Sequence, residues 1–387
     1  MKIIHSSNIR SLIVGAALLA GLGHVSHATA QQRSFLVDLN SRTGTLIGAQ
    51  RGNYGDYDLS TAINHAGQVT GRLVAKSDHH AFITGPDGAG IRDLGTLGVR
   101  HSYGTAINNA GQVVGRSTTA EDVDHAFITG PDGAGMRDIG AFPGGWSEAS
   151  GINNAGQVVG GSTSAAGYAH AFITGPDGVG MRDLGTLGAQ HSMASDVNDT
   201  GQVVGYFENN GGGAHAFITG PDGEGIKALD TLGGGYSSAS GINDAGQAVG
   251  SFYSIEGNYH SQHAFITGPD GMGMRDLGTL LGYSSSALDI NNAGQVVGSF
   301  YTAKDSSLSG HAFITGPEGQ GMTDLNSLVD LPERVILTAA LAINDQGQVL
   351  AEATLAPATM IPEPETYALM LAGLGLVGLI AGRKRPA

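Results

Sequence analysis

Apolar and polar positions alternate along this chain in short runs, and the runs recur. His170–Gly205 is a clean copy. His170–Thr174 carries Phe172 and Ile173, and Met181–Leu187 sets Met181, Asp183 and Gly185 against Arg182, Leu184 and Thr186. That period of two is the period of a strand. Gly175–Pro176–Asp177–Gly178 and Asn198–Asp199–Thr200–Gly201 lie between the runs and read as turns. Proline presets φ, and glycine accepts the positive φ that tight turns require. Gln202–Gly205 adds the paired valines Val203 and Val204. No window of ten or more residues inside the repeats has apolar positions at helical spacing, and glycine recurs every four to eight residues. Such a density of glycine breaks helices. Each unit therefore predicts four short strands.

The triplet His–Ala–Phe begins at His80, His125, His170, His215, His263 and His311, with spacings of 45, 45, 45, 48 and 48 residues. Ile/Val–Asn–x–x–Gly–Gln occurs seven times, with its asparagine at 64, 108, 153, 198, 243, 291 and 344. A unit of this length cannot bury both of its own faces, so it must pack on its neighbours. About 45 residues is the length of a four-stranded propeller blade, whereas a parallel β-helix uses a shorter coil. The first copy has only Ser34–Leu39, which resembles the Arg–Asp–Leu strand, ahead of its Asn64 half. The last Asn344 half ends near Thr354 with no His–Ala–Phe after it. Six full units and one assembled from both ends predict an all-β fold over residues 31–355. It is a β-propeller of seven four-stranded blades, closed by the N- and C-terminal strands. Closure also removes two exposed sheet edges.

Composition narrows the partners. The chain has 387 residues, 64 of them glycine, no cysteine and a formal net charge of −15. Without its two ends the count is 14 basic against 32 acidic residues, or −18. Such a surface repels nucleic acid and anionic membrane. With no disulfides, an exported chain must draw its stability from packing and hydrogen bonds.

The ends read as addresses. Residues 1–30 have a basic start (Lys2, Arg10), an apolar stretch Leu12–Leu22 and a small-residue cleavage site at Ala28 and Ala30. This is the pattern of a secretory signal peptide, whose partner is signal peptidase. Its apolar stretch is too short to span a bilayer. Residues 356–361 read as a linker. Within 362–387, Pro362, Glu363 and Pro364 precede the apolar run 367–382, and Arg383, Lys384 and Arg385 follow it. Sixteen helical residues span roughly 24 Å, enough for a transmembrane segment with snorkelling flanks. The basic cluster stays on the cytoplasmic side and leaves the repeats outside.

This tripartite end resembles the PEP-CTERM sorting signal of Gram-negative bacteria. The resemblance implies recognition by an exosortase, cleavage near Pro362–Pro364 and transfer from a transient membrane anchor to the cell surface or extracellular matrix. It also implies a setting of exopolysaccharide and biofilm. The middle of the chain resembles the HAF repeats, a family of extracellular repeats. The residues concerned are the six His–Ala–Phe triplets, the Asp–Leu–Gly–Thr–Leu runs at 93–97, 183–187 and 276–280, and the Asn–x–x–Gly–Gln turns. That resemblance implies placement and repeat type, and brings no activity with it.

The recurring residues read as structural. Asparagine at a turn start caps nearby backbone groups. Histidines at equivalent places on different blades stand too far apart for bonds near 2.1 Å to one metal. Asp93, Asp138, Asp183, Asp276 and Asp324 keep one position, but Ala228 replaces it in the fourth unit, as a ligand ring would not tolerate. The pairs His79–His80 and His260 with His263 lack carboxylate or cysteine partners, and the Gly–Pro–Asp–Gly turns lack the spaced acids of a calcium loop. No metal and no cofactor is expected.

Function at one site has to break the symmetry, and two places vary. One is the connection between Gln–Val–Val–Gly and the next histidine, carrying Tyr168, Tyr206, Phe207, Phe252, Tyr253, Tyr259, Phe300 and Tyr301. The other lies six residues before the Ile/Val of each asparagine turn, at Tyr57, His101, Trp146, His191 and Tyr236, with Tyr283 one position off. Flat rings on a β scaffold suit the apolar faces of sugars. They serve equally to cover a glycine-rich strand start. Tyr57, Trp146, Tyr236 and Tyr283 are the candidate ligand-binding residues. No nucleophile elbow, zinc helix or phosphate loop is present, and Glu148, Asp196, Glu208 and Glu256 are scattered. The chain thus reads as an exported structural or binding protein, not an enzyme, with exopolysaccharide or another protein as partner. The alternative is a polysaccharide-acting hydrolase or lyase with carboxylates drawn from different blades.

Overall fold

A computed structural model describes residues 32–47, 59–75, 78–208, 211, 213–233, 235–256, 259–280, 282–302 and 310–355. Gln31–Leu355 forms one compact unit. It contains seven antiparallel four-stranded sheets arranged as blades around an axis, as the repeat predicts. We name the strands A to D from the axis outward. Blade three shows the pattern: Ser147–Ile152, Val158–Thr163, Ala169–Ile173 and Arg182–Gly185. Blades one, two, four, five and six begin their A strands at Leu59, Ser102, His191, Ser237 and Gly282.

The third strand explains why the blades cannot stand alone. Phe172 packs with Val114, Ala126 and Ile128 of blade two. Its neighbours Ala171 and Ile173 pack with Ala194, Val197 and Phe217 of blade four. Alternation along one strand therefore supplies both interfaces. The same clustering recurs at all seven junctions between successive blades. Phe82, Phe127, Phe172, Phe217, Phe265 and Phe313 are fully buried. The glycine of Gln–Val–Val–Gly faces a bulge in strand A. A Cβ at Gly205 would lie 2.0 Å from the Met193 carbonyl oxygen, so strands A and B approach closely only with glycine there.

Blade seven joins the ends. Val335–Ile343 and Gln348–Leu355 are its A and B strands, and Gln32–Asp38 and Thr43–Ile47 complete it. The register corrects one expectation. Ser34–Leu39 resembles the Arg–Asp–Leu strand in sequence, yet Phe35 pairs with Ala351 and Leu36 with Leu350. Phe172 and Ile173 pair in the same way with Gly160 and Val159. The N-terminal strand is therefore strand C, with Phe35 packed towards blade six like the other phenylalanines.

Candidate binding face

The ring has two unlike faces. One collects the A–B and C–D turns, and its asparagine turns are built alike in all seven blades. Asn198 accepts hydrogen bonds from the Thr200 and Gln202 amides at 3.2 and 2.9 Å, as an Asx turn should. Its side-chain amide also donates to the Asn243 carbonyl of the next blade at 3.0 Å. Every asparagine of the seven does this, and Asn344 closes the circle by donating to the Asn64 carbonyl at 2.9 Å. Gln202 reaches across to Asp270 at 3.0 Å, and Gln348 to Asp87 at 3.0 Å. Arg275 donates to the Glu318 carbonyl of blade six at 2.6 Å, and Arg92, Arg137 and Arg182 repeat the contact. Sequence alone showed these residues as repeats but not as latches between blades. A cavity of about 210 Å³ marks the mouth of the axis on this face, lined by the seven Ile/Val–Asn pairs and the residues after them.

The recurring histidines and aspartates meet one another. His80, His125, His170, His263 and His311 each place Nδ1 2.7–2.9 Å from the aspartate of strand D in the same blade. In blade four, where Ala228 replaces the aspartate, His215 stacks on Phe207 with ring centroids 5.6 Å apart. The fixed offset of 13 residues between each histidine and its aspartate was the sequence signal for this pairing. Among the described residues no group of three histidine, cysteine or acidic side chains could hold a metal ion.

The other face carries the varied B–C connections together with the starts of the A strands. The two variable places of the sequence are thus neighbours. Tyr168 from one connection meets His191 at the start of the next A strand, ring centroids 5.1 Å apart. Tyr236 and Tyr253 meet at 5.7 Å.

This loop face divides into sectors of different chemistry. Around blades one to three it is charged. Arg116 lies over the Tyr103 ring at 4.8 Å and is 3.7 Å from both Asp124 and Glu148. Burial raises the Glu148 carboxyl above its usual range, Arg116 opposes the shift and Asp124 adds to it. Around blades five and six the face is aromatic. Tyr236, Tyr253, Tyr283 and Tyr301 are 47, 43, 64 and 39 % exposed. Trp146, in blade three, is half-buried and lies along Gly161 beside Met193. Of the four candidate rings, then, Tyr236 and Tyr283 share the aromatic sector, Trp146 stands apart, and Tyr57 lies outside the described residues. Ala28, Ala30, Pro362, Glu363, Pro364, Arg383, Lys384, Arg385 and the run 367–382 also lie outside them. Among the described residues no helix is long and apolar enough to cross a membrane.

Asp196, one of the acids that looked scattered, and Asp289 lie between A strands, each part-buried. Asp196 accepts from the Val197 amide at 2.8 Å and from Ile242 of blade five at 3.0 Å. Asp289 accepts from Ile290 and from Ile343 of blade seven, both at 2.8 Å. Burial, with the Asp289 charge adding, pushes Asp196 up to about 7, and burial pushes Asp289 up to about 6. Their oxygens bridge neighbouring blades.

Residues 361–385 match the PEP-CTERM protein-sorting motif. The chain therefore carries an exosortase sorting signal and is an exported protein. No curated protein matches the chain. Among solved structures, a putative TolB from Agrobacterium tumefaciens is similar at 10% identity and a TM-score of 0.48, over 85% of this chain and 100% of that one. An oligogalacturonate lyase from Vibrio parahaemolyticus is similar at 10% identity and a TM-score of 0.49, over 86% and 98% of the two chains. A puromycin hydrolase is similar at 12% identity and 0.49, over 76% and 52%. At those scores none of the three bears on what the ring binds or does.

Proposed function

We propose that this chain is a cell-surface or matrix protein, handed to an exosortase by its C-terminus, whose loop face holds exopolysaccharide. The observation that carries the reading is the sorting motif at 361–385. In this reading residues 1–30 are removed by signal peptidase, and 367–382 anchor the chain in the membrane until cleavage near Pro362–Pro364. The six His–Ala–Phe strands support placing the ring with the HAF repeats. The division of the ring supports the rest. Its turn face repeats the same latches in blade after blade, while its loop face varies and exposes aromatic rings, which is where recognition concentrates. A matrix protein as partner is the other outcome of the binding test below.

Sorting is tested in a host with and without its exosortase, using a tagged full-length chain and its Pro362→Ala/Pro364→Ala variant. The ring should reach the cell exterior only with both enzyme and motif intact. Equal export in all strains would sink the sorting assignment. Binding is tested by co-sedimentation of the ring, residues 31–355, with exopolysaccharide from the same culture before and after protease treatment of that material. Sedimentation lost on protease treatment would name a protein partner instead. For the hydrolase or lyase alternative, Glu148 is a loop-face carboxyl whose affinity for its proton is raised by burial. Release of reducing ends or unsaturated products by the purified ring would favour it.

A further inference from the structure

We infer that Tyr236, Tyr253, Tyr283 and Tyr301 form a platform for an uncharged polysaccharide across blades five and six. The inference rests on the reading of the loop face as an exopolysaccharide-binding surface, and it names the ligand class and the sector. Tyr253 and Tyr301 hold equivalent positions on strand B, each following a phenylalanine that pairs with a serine of strand A, Phe252 with Ser237 and Phe300 with Ser285. Both phenylalanines are buried, and they pack on His263 and His311 with centroids 5.8 and 5.4 Å apart. Strand alternation therefore fixes phenylalanine inward and tyrosine outward. Tyr236 is tied to Tyr253 by a backbone hydrogen bond of 3.0 Å as well as by its ring. Tyr283 is the extra residue of a bulge between Gly282 and Ser284, and bulges re-aim side chains. That bulge is also why Tyr283 stands one position off the sequence pattern. The Tyr301 ring lies along Gly310, where a Cβ would sit 3.2 Å from it, a tight contact that the glycine avoids.

Tyr236, Tyr253 and Tyr301 are held by neighbours, and all four rings stay exposed. Their polar company is neutral. Ser251 accepts from the Gln262 side chain at 2.8 Å, and Ser238, Ser284 and Ser299 stand on the adjoining strands. No lysine or arginine occurs on strands A and B of blades five and six. A polyuronate or sulfated polymer would meet no lysine or arginine on those four strands, and the net charge of −15 would repel it. Stacking faces with hydroxyl and amide groups between them fit neutral sugar rings.

The test is affinity electrophoresis of residues 31–355 in native gels containing hydroxyethylcellulose, galactomannan or dextran, with alginate as the anionic probe. At least one neutral polymer should retard the ring while alginate does not. The pairs Tyr236→Ala/Tyr283→Ala and Tyr253→Ala/Tyr301→Ala should each weaken retardation about tenfold or more, while phenylalanine at the same positions keeps it. Unfolding midpoints close to wild type should accompany the loss, since the rings are exposed. No retardation by any neutral polymer, retardation by alginate as strong, or alanine pairs that bind as wild type would each overturn the inference. If the ring still sediments with native exopolysaccharide while indifferent to these tyrosines, the platform falls and the loop-face reading stands. If it does not sediment at all, both fall.

Discussion

Replacing Asn198 separates two roles that its side chain plays at once. The residue is 4 % exposed, and its Oδ1 accepts from Thr200 and Gln202 while its Nδ2 donates to Gln202 Oε1 at 2.9 Å and to the Asn243 carbonyl at 3.0 Å. Each net hydrogen bond contributes about 1 kcal/mol, and a buried partner left unpaired costs about 1–3 kcal/mol. Asn198→Ala should therefore destabilise the ring by roughly 3–5 kcal/mol. Asn198→Asp keeps the turn-capping acceptor but turns an oxygen towards two other oxygens. If the bond to the next blade matters as the geometry says, aspartate costs as much as alanine at neutral pH. It should then recover in acid, where a protonated carboxyl donates one hydrogen bond, and alanine should not. Urea denaturation of residues 31–355 at pH 4.5 and 7.5, with each variant referred to wild type at the same pH, reads this out as the shift in midpoint. An aspartate variant within about 1 kcal/mol of wild type at pH 7.5 would show that only the turn cap counts, and would refute the inter-blade role.

Further outcomes follow from the same contacts. Phe172→Ala, a fully buried ring between blades two and three, should cost about 3–5 kcal/mol in denaturant. Gly201→Ala should also destabilise, because φ is +77° there and a Cβ would lie 2.8 Å from the Asp222 nitrogen; a variant as stable as wild type would contradict the packed turn. Asp196 and Asp289 have folded-state values of about 7 and 6 against an ordinary 3.8, so the native state holds protons that the unfolded chain gives up. Their stabilisation is complete below about pH 4 and is lost as pH rises towards 6–7. Unfolding midpoints measured from pH 4 to 8 should fall less steeply for Asp196→Asn than for wild type, and equal slopes would show that Asp196 does not titrate there.

Much of the architecture was legible because each blade repeats the same local rules. Alternation in His–Ala–Phe–Ile, the Pro–Asp–Gly turns and the count of asparagine turns together specify seven four-stranded sheets and closure by the chain ends. What escaped was whatever depends on register or on a neighbour. Ser34–Leu39 carries an Asp–Leu pair like strand D, but pairing with Gln348–Leu355 makes it strand C. Gln202 and Arg275 look like ordinary polar residues until the adjacent blade supplies Asp270 and the Glu318 carbonyl. Asp196 reads as one more surface acid, and only the ring shows it wedged between A strands. On the loop face the sequence named Tyr236 and Tyr283 as candidates, and both rings are exposed. It could not place Tyr253 against Tyr236, or Trp146 along Gly161, because strand pairing decides which rings are neighbours.

Closure of the ring by its two ends can be measured in one experiment, made clean by the absence of native cysteine. Gln32 and Thr354 are direct partners across blade seven. In the Gln32→Cys/Thr354→Cys variant of residues 31–355, mild oxidation should give an intramolecular disulfide in the folded monomer, seen as a reducible shift in mobility and a cross-linked peptide by mass spectrometry. Thiols that stay free in the native protein, or that link only between molecules, would contradict a seven-bladed ring closed by its first and last strands.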